Sequence, residues 1–312
     1  MEKFLVTGGA GFIGSNICRK LTSQGCFVRV LDNLLTGKKS NLDDILDKVE
    51  FIEADMGDEK VAHASMKDVD VVLHQGALPS VPKSIDDPAA THKHCVDATF
   101  TLLMAARDAG VKRFVYAGSS SAYGDSPTLP KVEKMPCRPL SPYAVAKLTG
   151  EYYSSVFYKV FGLETISLRY FNVFGPYQDP TSQYAAAIPA FVTSILKNEP
   201  PTIYGDGEQS RDFTYIDNVV EANLLAARAE KTEGQIVNIA CGQAVTVNEI
   251  IDMINDIVGK NVKPIHTQPR PGDIKHSLAD ITLAEKAIGY KPVVEFRQGL
   301  ESAIEWYREN LM

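Results

Sequence analysis

A tyrosine and a lysine four residues apart, in Tyr143-Ala144-Val145-Ala146-Lys147, are the side chains with the clearest capacity for chemistry. On a helix that spacing puts both on one face. A phenol of pKa near 10 is a poor base at neutral pH. An ammonium about 4 Å away, at an effective dielectric of about 20, supplies about 4 kcal/mol, or roughly three pKa units. The spacing therefore predicts that Tyr143, helped by Lys147, is poised near neutrality, where a general acid–base group works best. Upstream, Tyr116-Ala117-Gly118-Ser119-Ser120-Ser121-Ala122-Tyr123-Gly124 closes a predicted strand. Carboxyl ends of parallel strands are where ligands bind, so a serine hydroxyl of this run is expected to relay a hydrogen bond between a substrate hydroxyl and Tyr143.

What Tyr143 would act beside is written at the start of the chain. A predicted strand, Phe4-Leu5-Val6-Thr7, runs into Gly8-Gly9-Ala10-Gly11-Phe12-Ile13-Gly14, and a helical pattern follows. A G-x-G-x-x-G run is common by chance, but in strand–turn–helix context it is a dinucleotide site. Gly8 and Gly11 let the backbone approach a pyrophosphate, Gly14 lets the helix sit close on the strand, and the helix N-terminus offers free N–H groups. Asp32 ends the second predicted strand. A carboxylate there accepts from both ribose hydroxyls and repels a 2′-phosphate, which selects NAD over NADP. Lys38 and Lys39 follow in the loop, but no arginine follows the aspartate directly. Asp55 and Met56, after the third strand, are placed to meet the adenine, with a loop-capping aspartate as the alternative.

Elements that can hold these residues are readable. Apolar runs at Phe4–Thr7, Phe27–Leu31, Glu50–Glu53, Asp70–His74, Arg113–Ala117 and Glu164–Leu168 are continuous, as buried parallel strands are. Amphipathic stretches at Phe12–Ser23, Glu59–Met66, Ala90–Ala109 and Pro142–Phe161 alternate with them. Repeated strand–helix–strand units predict an α/β fold, a doubly wound parallel (Rossmann) sheet with a smaller substrate-binding lobe. Residues 1–172 form the expected nucleotide domain. A helix at Asp217–Ala229 and a strand at Gln235–Ile239 make 213–240 return to it, leaving 173–212 and 241–312 for the smaller lobe.

Composition excludes several classes. A net charge of −7 disfavours nucleic acid. The five cysteines, Cys18, Cys26, Cys95, Cys137 and Cys241, are scattered and hold no C-x-x-C pair, which fits a reducing compartment and no disulfide framework or zinc site. His92-x-His94 falls in a predicted helix without a third ligand and reads as a pair of exposed histidines. No apolar run approaches the ~20 residues of a membrane span and no charged leader precedes the first strand, so the expectation is a cytoplasmic protein with no membrane partner. Asp86-Asp87 reads as a helix N-terminus, and Trp306 and Tyr307 read as packing residues.

The chain resembles the extended short-chain dehydrogenase/reductases of the NAD-dependent sugar epimerase/dehydratase family over nearly its whole length. Besides the glycine turn, Asp32-Asn33 and Tyr143-x-x-x-Lys147, the landmarks are Leu168-Arg169-Tyr170-Phe171-Asn172-Val173-Phe174-Gly175-Pro176, Gly205-Asp206-Gly207, Arg211-Asp212-Phe213 and Arg270-Pro271-Gly272-Asp273. The resemblance implies further NAD contacts from Phe12, Ile13, Asn33, Gln75, Ala77 and Tyr170. It implies that Asn172 holds a phosphate or sugar oxygen, that Arg211 and Arg270 clamp a diphosphate, and that Asp273 holds a uridine ribose. Ser80, Ser120, Ser121, Ala186, Tyr204 and Ser277 complete the implied substrate wall. The implied cofactor is NAD, the implied partner a UDP-sugar, and the implied assembly a homodimer through the Ala90–Ala109 and Pro142–Phe161 helices.

Dehydratases of the family carry Asp-Glu after the catalytic Ser/Thr, and decarboxylases a glutamate; here Ser120 and Ser121 follow Ser119. The resemblance therefore favours 4-epimerisation of a UDP-hexose through a 4-keto sugar and NADH, over a dehydratase or decarboxylase, or over a non-catalytic NAD sensor, since both Tyr143 and Lys147 are kept. Gly76-Ala77-Leu78-Pro79-Ser80-Val81-Pro82-Lys83-Ser84-Ile85, the triple serine and Gln178-Asp179-Pro180 look most like UDP-N-acetylglucosamine 4-epimerases of surface-polysaccharide pathways. Ser277 stands where UDP-galactose epimerases often carry a tyrosine, and leaves room for a 2-acetamido group. Two departures stand out: Cys95-Val96-Asp97-Ala98-Thr99 replaces the usual N-[VI]-x-G-T run, and Pro79 stands where many epimerases have a lysine.

Overall fold

A computed structural model describes residues 1–180, 187–269 and 275–311. The first six strands are β1 (Lys3–Thr7), β2 (Phe27–Asp32), β3 (Val49–Glu53), β4 (Val71–His74), β5 (Arg113–Ser119) and β6 (Thr165–Tyr170). With the Gln235–Ile239 strand they form one seven-stranded sheet, ordered Gln235–Ile239, β6, β5, β4, β1, β2, β3. Every pairing in it is parallel. This is a Rossmann-like doubly wound sheet, and the order reverses between β1 and β4, which leaves a crevice at their carboxyl ends. The strands are apolar throughout because both faces are covered: Phe4, Val6, Val30, Leu73 and Val115 pack into one core, Leu5, Leu31, Val72 and Phe114 into the other.

Helices α1 (Phe12–Ser23), α2 (Glu59–Ser65), α3 (Val81–Asp86), α4 (Pro88–His92), α5 (Ala98–Asp108) and α6 (Pro142–Phe161) connect the first strands. The start of α6 is fixed locally: the Ser141 hydroxyl accepts from the amide of Ala144 at 3.2 Å, and Pro142 supplies the ready-made φ of a first turn. Gly162, at φ 71°, ends it. Asp87 caps α4 through the Ala90 amide.

One expected element differs. The stretch expected as a single helix over Ala90–Ala109 is α4 and α5 joined through a π-helical turn, Lys93–Asp97. A π turn inserts an extra residue into the helical ladder, and its buried residue is Cys95. The Cys95 sulfur is tied to the loop after β4, where it accepts from the Leu78 amide at 3.3 Å.

Candidate active site

Of the glycines in the first turn, Gly8 and Gly14 are demanded by the backbone packed against them. Gly8 has φ 67°, and a Cβ there would fall 2.7 Å from the Gly76 backbone; at Gly14 it would fall 2.2 Å from the Gly8 carbonyl oxygen. Helix α1 starts at Gly11 with no side-chain cap, so its first N–H groups are left for a ligand. The turn opens on a cavity of about 420 Å³. Its wall holds Gly8, Gly11, Phe12, Ile13, Gly14, Asp32, Asn33, Met56, Gln75, Ala77, Tyr143, Lys147 and Tyr170. Asp55 is not on that wall; its carboxylate accepts from the Gly57 amide at 2.9 Å and caps its own loop.

Asp32 is buried and fixed. One carboxylate oxygen accepts from the Ala10 amide at 3.0 Å and the other from Leu34 at 2.8 Å. Burial raises its pKa against those two bonds. A carboxylate has about four acceptor positions, so two remain for a vicinal diol. The unoccluded helix terminus, the backbone cradle and this carboxylate fit a dinucleotide.

Tyr143 and Lys147 lie one turn apart on α6 and both reach the cavity. The Ser119 side chain, on the last residue of β5, is hydrogen-bonded to the Tyr143 phenol. Ser119 is itself 2.8 Å from the Ser121 hydroxyl. In the chain without cofactor the phenol is not depressed. Burial pushes the Tyr143 pKa up, the nearby Cys95 adds to this, and only the Ser119 bond opposes it. Lys147 is buried too, which lowers its own pKa, and its Nζ donates to the Ala117 carbonyl oxygen at 2.9 Å. Spacing put the two on one face; it could not show that desolvation outweighs their charge coupling.

Behind Tyr170 the structure builds a chain that the sequence did not reveal. The Tyr170 hydroxyl donates to Gln75 Oε1 at 3.1 Å and accepts from Asn223 Nδ2 at 2.8 Å, while Gln75 Nε2 donates to Asn223 Oδ1 at 2.9 Å. Asn223 arrives from the Ile216–Arg228 helix. The cavity wall also includes Lys38, Tyr177, Asp179 and Trp306, so Trp306 is more than a packing residue. His94 lies on that wall and is only half-exposed, a correction to its reading as exposed, whereas His92 faces Asp97 at the surface. Among the described residues no cluster of His, Cys, Asp or Glu could hold a metal ion.

The residues assigned to substrate form a second group. Arg211 sits on the Ser210–Asp212 strand, with its guanidinium donating to the carbonyls of Ser210 at 2.9 Å and Lys275 at 3.1 Å. The Ser277 amide donates to Ser210 O at 3.0 Å, which brings Ser277 beside that strand. Tyr204 is exposed on a neighbouring short strand, Thr202–Tyr204. Asn172 adopts φ 33° and its Nδ2 donates to Asp212 O at 2.9 Å. Asp212 is wholly buried and accepts from the amides of Cys241, Gly242 and Ala279. Burial raises its carboxyl to about 6. Ser80, at φ 120°, caps α3 by accepting from Lys83 and is off the cavity wall; Ser120 flanks Ser119 and is half-exposed. Ala186, Arg270 and Asp273 lie outside the described residues.

Beneath the turn, His74 is buried between Thr7 Oγ1 at 2.6 Å and Thr99 Oγ1 at 2.9 Å. Burial, helped by the Lys147 charge, lowers its pKa from 6.5 to about 3. The unfolded chain therefore binds this proton first. His74 keeps its full contribution above the unfolded pKa and loses it as pH falls toward the folded one. The loss should reach about 2 kcal/mol by pH 5. Urea unfolding at pH 7 and pH 5 checks this: His74→Asn should be less stable at pH 7 and flatter across the interval.

Known proteins organise these observations. The model of the "NAD dependent epimerase/dehydratase family" matches residues 4–240. The UDP-glucose 4-epimerase of Mycolicibacterium smegmatis is 36% identical, covering 97% of this chain and 98% of that protein. Among solved structures, a UDP-N-acetylglucosamine 4-epimerase from Methanobrevibacter ruminantium in complex with UDP-N-acetylmuramic acid is 38% identical with a TM-score of 0.95, covering 99% of both chains. The UDP-glucose 4-epimerase of Thermotoga maritima with UDP-glucose is 36% identical with a TM-score of 0.94, covering 99% of this chain and 100% of that one. The glycine cradle, the Asp32 carboxylate and the Ser119–Tyr143–Lys147 group thus sit in a chain that belongs to the NAD dependent epimerase/dehydratase family.

Proposed function

We propose that this enzyme interconverts the 4-epimers of a UDP-hexose, with UDP-N-acetylglucosamine and UDP-N-acetylgalactosamine as the preferred pair. The observation that carries the reaction type is the company kept by the Tyr143 phenol, whose acting neighbours among the described residues are Cys95 and Ser119 and no carboxylate. The carboxylates on the described cavity wall, Asp32 and Asp179, are engaged with backbone amides and with Lys38. Elimination of water needs an acid and a base at neighbouring carbons; epimerisation needs only oxidation at one carbon and its reversal. That weighs against the dehydratase reading.

NAD, when bound, supplies the oxidation of carbon 4 and the return of the same two electrons. The chain's own task is to move one proton and hold the sugar. Tyr143, as the phenolate, takes the 4-hydroxyl proton and as the phenol gives it back, Ser119 orients that hydroxyl, and Lys147 supplies the positive charge that favours the phenolate. Arg211, with Arg270, would hold the diphosphate, so that the nucleotide end anchors a sugar free to present either face. Ser277, small and beside the Arg211 strand, supports the acetamido preference.

Chromatography of products from UDP-N-acetylglucosamine and from UDP-glucose tests this reading. Faster formation of UDP-N-acetylgalactosamine is expected, and Ser277→Tyr should reverse the preference. UDP-galactose forming faster in the wild type would remove the acetamido preference, and a product lighter by a water would overturn epimerisation.

A homodimer is part of the same proposal. On α6, Val145, Tyr152, Val156 and Val160 are 47% to 66% exposed, and Phe100 of α5 is exposed beside Tyr153. An apolar stripe of this kind marks an interaction face, and a second copy, pairing helix to helix, would cover it. Val156→Asp with Val160→Asp should shift the protein to a monomer on gel filtration; an unchanged elution would reject this face.

A further inference from the structure

Residues 177–180 line the cavity wall, and four separate contacts hold the 175–180 segment in place. Asn16 of α1 donates to Pro176 O at 3.1 Å. The Tyr307 hydroxyl reaches the carbonyls of Gly175 at 3.3 Å and Gln178 at 3.2 Å. Tyr177, in a left-handed backbone conformation at φ 68°, has its ring between the Arg19 guanidinium, 3.7 Å from the centroid, and the Trp306 ring, 5.0 Å away. Finally, Asp179 pairs with Lys38 at 2.7 Å. The Lys38 amide donates to Ala10 O in the glycine turn at 3.0 Å. Its neighbour Gly37 is so near Asp32 that an added Cβ would meet the carboxylate at 3.0 Å.

We propose that this segment is a strap over the adenosine end of the cofactor cleft and that Lys38–Asp179 is its ionic clasp. A bound dinucleotide leaves when the clasp opens. By engaging Lys38, Asp179 also withholds from a 2′-phosphate the lysine nearest to Asp32 in the chain. The inference rests on NAD as the cofactor and not on the identity of the sugar.

The side chains of the pair are 58% and 37% exposed, so its attraction is screened by water and salt. Exposed pairs of this kind change equilibria by up to about fivefold. The test loads the purified enzyme with NADH and follows loss of NADH fluorescence after adding excess NAD. Asp179→Ala and Lys38→Ala should each release NADH several-fold faster. The double variant should be faster by much less than the product of the two single effects, because both substitutions break the Lys38–Asp179 pair. The charge swap Lys38→Asp with Asp179→Lys should return release toward the wild-type rate. High salt should speed the wild type and leave Asp179→Ala unchanged.

General attraction for an anionic cofactor predicts the opposite for one variant: removing the Asp179 charge would slow release. Slower release from Asp179→Ala, or equal rates across the series, would overturn the clasp alone. Wild-type protein that binds no NADH would overturn the cofactor reading and the clasp with it. Asp179→Asn should also bind NADPH better relative to NADH, and adding Lys38→Ala should remove that gain.

Discussion

Tyr143→Phe should lower kcat by about 10²- to 10⁴-fold while leaving the protein folded and NAD bound. The phenol is the proton carrier, and a phenyl ring keeps its packing. The cofactor residues are independent of its hydroxyl: Gly8, Gly14 and Asp32 are fixed by backbone contacts on β1, α1 and β2. Turnover assays alongside the fluorescence of bound NADH separate the two effects. Wild-type turnover in the variant would remove Tyr143 from the chemistry, and loss of NADH binding would make it a structural residue. Ser119→Ala should cost less, since Ser119 orients the proton and Tyr143 carries it. In the protein alone, burial raises the Tyr143 pKa. The expected basic form thus depends on a positive charge arriving with the cofactor.

The second large effect is expected one turn further along α6. Glu151 is fully buried and accepts from Arg169 of β6 in a fork, with Nε 3.0 Å from both carboxylate oxygens and Nη2 2.7 Å from one. Glu151 also accepts from the Ser119 backbone. Burial would lower the Arg169 pKa, but the Glu151 bonds and charge outweigh it and hold the guanidinium ionised. Arg169 lies 4.7 Å over the Tyr123 ring, and its Nη1 has no partner among the described residues. Removing the carboxylate therefore leaves a buried cation with little else to neutralise it.

Glu151→Gln should destabilise the fold by about 3–5 kcal/mol, read as a drop in urea midpoint at unchanged slope. Replacing both partners by Glu151→Leu and Arg169→Met should recover much of that loss, because two apolar groups leave no charge unpaired. Turnover should not recover with it, since the Ser119 amide would still lack its acceptor. A double variant with full activity would show that Glu151 does not position Ser119.

What the sequence determined on its own is what depends on neighbours along the chain. Continuous apolar runs marked β1 to β6 to within two residues at their ends, because a strand buried on both faces tolerates little else. The Phe12–Ser23 and Pro142–Phe161 helices were legible from their amphipathic period. The glycine turn was legible because its glycines are required by backbone contacts within the turn and against the adjoining strands.

The tertiary structure decided which distant groups meet. Lys38 and Asp179 are 141 residues apart, Gln75 and Asn223 are 148 apart, and neither pair belongs to a motif. Cys95 reaches Leu78 through a π turn that an α-helical period does not announce. The electrostatics of Tyr143 were also decided there. A four-residue spacing fixes where a lysine points, but burial, set by everything packed around the site, decides whether its charge or desolvation governs the phenol.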